Sequence, residues 1–145
     1  MVVGGGNPGD ADRLEAALKA QGIIPHTLRM LLITHGHSDH TGAARKFFEL
    51  YDVPIAMHPE EYYNPPSVER LRAHTRMGHI IHTVARRQGN APLEFPCSLP
   101  FSDGQPLDGH GFRDAQVVSL PGHTAGSIGV LFEDGRLVCG DMFMC

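Results

Sequence analysis

Apolar positions recur along this chain with two different periods. Leu14, Ala17 and Leu18 follow Asp10 and Asp12 at helical spacing; either Asp can cap the helix, and Gly22 stops it. The opening MVVGGGNPGD holds four glycines and reads as a loop, not a strand or a signal peptide. Met30-Leu31-Leu32-Ile33-Thr34 is apolar on both faces, as a fully buried strand is. It runs into His35-Gly36-His37-Ser38-Asp39-His40-Thr41-Gly42, from which a helix is expected to reach Tyr51 and bury Phe47 and Leu50. Residues 54–57 then repeat the buried-strand pattern. Strand, helix, strand is the mark of an α/β layer.

Beyond a Pro-rich break at 62–66, Met77, Ile80, Ile81 and Val84 predict a longer helix over 67–88. Residues 89–111 are loop-rich. The last third turns to β: strands are expected over 116–120, 127–133 and 136–139, with Asp134-Gly135 as a two-residue hairpin turn. Neither an internal repeat nor a low-complexity linker interrupts the sequence, so a single domain over 1–145 is expected. A chain of this size buries roughly two-thirds of its extended surface, enough for one core.

Composition narrows the classes. With 41% hydrophobic and 19% charged residues the chain is not a disordered tail. A net charge of −4 argues against nucleic acid or an anionic membrane surface as partner. No apolar run approaches the ~20 residues that span a bilayer. Three cysteines without a CxxC pair indicate neither a disulfide framework nor a Cys-based zinc site. Histidine, with ten copies, is the outlier.

On an extended backbone His35 and His37 point the same way and can share one target. Asp39 and His40 follow as the chain turns into a helix and face a neighbouring point. Imidazole and carboxylate are preferred ligands of Zn²⁺ and related ions. Gly36 lets the backbone turn between ligands, and Gly42 lets the helix approach closely. Pro121-Gly122-His123-Thr124-Ala125-Gly126-Ser127 places another His in a Gly-flanked loop after a strand, and Asp141 ends the last strand. Ligands offered from several strand ends converge on one sheet edge. The other candidates read as ordinary. His74, His79 and His82 lie on the long helix, His58 suits capping or packing, and His26 and His110 are loop residues. Arg70, Arg72, Arg76, Arg86 and Arg87 make a basic helix face that can be simply solvated. Tyr62 and Tyr63 are weak candidates for a substrate entrance, and Cys139 reads as core.

THGHSDHTG, PGHTAGS and the final GD together resemble the metallo-β-lactamase-fold metallohydrolases, over most of the chain. The resemblance implies an αββα sandwich with one or two metals at the sheet edges. His35, His37 and His123 would hold the first ion, Asp39 and His40 the second, and Asp141 would bridge both. It implies Zn²⁺, with iron and manganese as alternatives, and a hydroxide that attacks an ester, thioester, lactone or phosphodiester centre. Asp39 would also be catalytic, orienting that nucleophile. An acid at position 141 resembles the glyoxalase II, lactonase and RNase Z-like members, whereas many zinc β-lactamases place Cys or Ser there.

Members of the family normally carry strands before the first helix and a final His after the bridging Asp. On that comparison the sequence is expected to be truncated at both ends, a partial sandwich with an incomplete second site and sheet edges open to self-association. The expected function is metal-dependent hydrolysis of a small-molecule ester, thioester or lactone in the cytoplasm. A non-catalytic metal-binding remnant and a mononuclear iron persulfide dioxygenase-like enzyme are the alternatives.

Overall fold

The computed structural model describes residues 1–63 and 95–143. The helix expected over 67–88, with His74, His79, His82 and its arginines, lies outside the described residues. Two sheets organise the rest. The first is parallel, in the order β1 (Val2–Val3), β2 (Leu31–Leu32), β3 (Ile55–Met57) and β4 (Leu99–Pro100). The second is an antiparallel meander of β5 (Ala115–Ser119), β6 (Ile128–Phe132) and β7 (Leu137–Val138). Helices α1 (Ala11–Ala20), α2 (Ser38–Thr41), α3 (Ala44–Tyr51) and α4 (Pro59–Tyr63) connect the parallel strands.

Strand alternation divides the core in two. Leu31, Ile33, Ile55 and Met57 pack with Leu18, Ala44 and Phe47 of α1 and α3, and all seven are buried. Met30, Leu32 and Ala56, one residue out of step, pack with Val117, Ile128 and Val130 of the second sheet. The β2 run is therefore apolar on both faces because one face meets helices and the other a sheet. Helix, sheet, sheet is the layer order of the described elements, a partial form of the expected sandwich. The sheets also share a backbone bond, Ile128 N donating to Thr34 O at 2.9 Å.

The structure corrects three expectations. The N-terminal segment is not all loop. Val2 N donates to Met30 O and Gly4 N to Leu32 O, so β1 forms by pairing with β2, a long-range partner that a two-residue apolar run cannot announce. Leu50 is not core but 65% exposed. The inward stripe of α3 runs through Ala44, Phe47, Phe48 and Tyr51, and Leu50 falls at its border. The β6–β7 turn takes three residues, Glu133 to Gly135, closed by Phe132 N donating to Arg136 O. Two-residue type I′ geometry needs positive φ at both central residues, but among the described non-glycines only Asp52 has it. Gly135, at φ 85°, takes the left-handed position alone.

Asp10 sits at the α1 N-cap but does not cap with its side chain; its Oδ2 accepts from Asn7 N and Nδ2. A charge cluster clamps α1 to α3. Lys46 Nζ donates to Asp12 at 2.5 Å and also to Glu15, which takes a second bond from Lys19. Lys19 first, then Lys46, hold the Glu15 carboxyl down to about 2.

Candidate metal centre

All six predicted positions lie at one end of the sheets. His35 and His37 leave the C-terminal end of β2, α2 supplies Asp39 and His40, the β5–β6 loop supplies His123, and Asp141 follows β7. His35 is the centre of the group. Its ring is fully buried, Nδ1 is hydrogen-bonded to Thr34 Oγ1 at 3.2 Å, and Nε2 has no hydrogen-bond partner. The rings of His37 and His123 stand edge-on to it, at centroid distances of 4.8 and 4.7 Å. His123 Nε2 faces His37 Nδ1 at 2.9 Å. On the other side His40 Nε2 is 3.2 Å from Asp141 Oδ1.

Donor atoms thus form two groups sharing His35: His35, His37 and His123, and His35, His40 and Asp141. Within each, the donors lie within 4.8 Å of one another. The first group matches the set the resemblance implied for one ion. Asp141 Oδ2 also lies 3.6 Å from His123 Nε2 and 4.0 Å from His35 Nε2, so its carboxylate faces both groups. Asp39 is not brought in. Its side chain is 53% exposed, with Oδ2 3.8 Å from His40 Nε2, at the rim.

The residues fit a divalent transition ion. A buried imidazole nitrogen without a partner is costly unless something else occupies its lone pair. Burial foremost, then the neighbouring His40, His37 and His123, push the His35 imidazole down to about 2. Burial and then His123 lower His37 as well. Both rings are therefore neutral at physiological pH, the form that binds metal. Nitrogen donors with one carboxylate suit zinc or iron better than magnesium or calcium.

Close backbone contacts hold the ligand loops in place. Gly42 N donates to Gly6 O and Ala43 N to Gly5 O, so the glycine-rich N-terminal loop lies against the α2–α3 junction. A Cβ on Gly42 would lie 2.0 Å from Asn7 O; the expected close approach is a real one. A Cβ on Gly140 would lie 2.6 Å from Thr34 Oγ1, the atom that orients His35.

Glu61 is the residue sequence reasoning missed. It is 2% exposed, its Oε2 accepts from Gly36 N at 2.8 Å, and its Oε1 accepts from Gly126 N at 2.7 Å. Its signal, one inward Glu in His58-Pro59-Glu60-Glu61, carries no metal spacing. His58 caps as expected, its Nδ1 accepting from Glu60 N at 3.1 Å. His26 is exposed, and His110 is half-buried with its ring 5.3 Å from that of Phe101. Tyr62 and Tyr63 pack on each other at 5.2 Å, and Cys139 is half-buried.

Fold and site together define a layered α/β protein with a histidine- and carboxylate-lined sheet edge. The chain belongs to the metallo-beta-lactamase superfamily, whose family model matches residues 1–144. It is 33% identical over 135 residues to hydroxyacylglutathione hydrolase of Alkalilimnicola ehrlichii, covering 93% of this chain and 40% of that protein. It is 30% identical over 126 residues to the probable metallo-hydrolase YflN of Bacillus subtilis, covering 79% of this chain and 44% of that one. The chain thus spans less than half the length of these relatives. Among solved structures, TTHA1623 in a di-iron-bound form superposes with a TM-score of 0.63 at 26% identity, covering 99% of this chain and 62% of that one. Among the described residues no helix is long and apolar enough to cross a membrane.

Proposed function

We propose that this chain carries the metal centre of a hydrolase acting on a small ester, thioester or lactone. The observation that carries the reading is His35 Nε2, a buried donor atom without a partner where both donor groups meet. His35, His37 and His123 would hold one ion; His40 and Asp141 would contribute to a second, with Asp141 facing both, while Asp39 stays at the rim beside His40. A divalent ion bound there would supply Lewis acidity and a source of hydroxide near neutral pH. The buried His35 ring would close its inner side, and Asp39, exposed beside His40, would orient the nucleophile from the open side. The relatives named hydroxyacylglutathione hydrolase support the thioester reading. The di-iron form of TTHA1623 supports iron beside zinc as the metal.

The test is elemental analysis of the purified protein after reconstitution with Zn²⁺ or Fe²⁺, followed by thioester and lactone assays of each form. At least one equivalent of metal is expected, with hydrolysis following metal content. Replacing even an outer partner of a metal ligand costs about 10–100-fold in affinity or activity, so His35→Ala should cost at least that. No stoichiometric metal after reconstitution would sink the reading.

A further inference from the structure

Both ligand loops end on one carboxylate. Gly36, between His35 and His37, donates its amide to Glu61 Oε2 at 2.8 Å, and Gly126, three residues past His123, donates to Oε1 at 2.7 Å. The carboxylate belongs to neither loop; it comes from α4 and is almost fully buried. A buried carboxylate needs its oxygens hydrogen-bonded, and here the two bonds join segments from opposite sheets. The contact is tight. A Cβ on Gly126 would lie 2.8 Å from Glu61 Cγ, 2.9 Å from its Oε1 and 2.9 Å from His58 Nδ1, so only glycine lets this loop approach. The facing ligand atoms of the two loops, His37 Nδ1 and His123 Nε2, are 2.9 Å apart.

We propose that Glu61 is a positioning residue of the metal centre: by bonding Gly36 and Gly126 at once it sets the spacing of the three imidazoles. The proposal rests on the metal-centre reading above. Glu61 is in neither donor group and would act through two amides. A carboxylate is required because both of its oxygens accept. The side-chain amide of Gln would turn an N–H toward one of the two backbone donors.

The test compares wild type with Glu61→Gln, which keeps the volume, Glu61→Ala, and Gly126→Ala, which crowds the same contact from the other side. Zn²⁺ affinity is measured by chelator competition on metal-free protein, and ligand geometry by the visible spectrum of the Co²⁺ form. Metal-free melting temperature serves as the fold control. The expected result is Zn²⁺ binding weakened about 10–100-fold in all three variants, the range for outer partners of metal ligands, with an altered Co²⁺ spectrum. Should Glu61→Ala fail to fold, Glu61→Gln carries the comparison. Variants that melt lower but bind Zn²⁺ as tightly as wild type, with its Co²⁺ spectrum, would overturn the proposal and leave the metal centre standing. A wild type that takes up no metal overturns the metal-centre reading and this one with it.

Discussion

The His35 side chain meets opposite demands on its two nitrogens. Thr34 occupies Nδ1, while burial leaves Nε2 both neutral and unpaired. Such a residue is held by its surroundings, and some of those surroundings are backbone. Gly42→Ala would drive a methyl group into the Asn7 carbonyl, which the α2–α3 junction cannot yield without moving His40. Overpacking costs about 1–3 kcal/mol, and a collision with main chain belongs at the upper end. Urea unfolding should show a loss of about 3 kcal/mol for Gly42→Ala. Gly109→Ala, with open space around the added atom, should stay within ~0.5 kcal/mol. Equal midpoints would mean that the N-terminal loop yields freely. At this scale the candidates were legible because four of them, His35, His37, Asp39 and His40, fall within six consecutive residues after a buried strand, and three of the four join the donor groups. Glu61 was not, because its partners stand 25 and 65 positions away.

Within the elements, α3 shows how far periodicity carries. The pattern finds the helix and the burial of Phe47, but an eight-residue helix has too few turns to locate the edge of its apolar stripe. Leu50 fell on the wrong side of that edge. The contrast is measurable. Phe47→Ala removes a fully buried ring and should cost about 3–5 kcal/mol, whereas Leu50→Ala should stay within ~0.5 kcal/mol. A loss above ~1.5 kcal/mol for Leu50→Ala would show that the side chain is covered in solution. Strand β1 and the β6–β7 turn failed for different reasons. β1 exists only through its partner, and the turn depends on whether Asp134 adopts positive φ, which Asp-Gly permits but does not require. The meander strands, in contrast, pair with sequence neighbours, and their β-rich runs on either side of Asp134-Gly135 were visible.

Across the whole molecule, the candidate ligands divide between the sheets. His35, His37 and His40 extend from the parallel sheet, and His123 and Asp141 from the meander. An ion held by both would tie the layers together in the folded state alone. Zn²⁺ should therefore raise the melting temperature, by the equivalent of about 2.7 kcal/mol at a hundredfold excess over Kd, and a chelator should reverse the gain. Calorimetry with and without metal checks this, and His35→Ala should abolish the shift. A melting curve indifferent to metal would mean that the two sheets do not share an ion. The layered α/β class was readable from strand–helix–strand order. The division of the core into two separate clusters was not, because an apolar run does not say which face meets helix and which meets sheet.

The opposite end of the sheets has a different character. The open groove there is lined by Gly111, Arg113, Asp114, Phe132, Glu133 and Arg136 and holds none of the six candidate ligands. Its Glu133–Gly135 turn is exposed and closed by its own local bonds, with Arg136 stacked over Phe132 and paired to Asp134. Exposed loop tips of this kind tolerate inserted residues. The candidate ligands leave the near pole little room for change, whereas this turn can take added residues or altered charge without disturbing them.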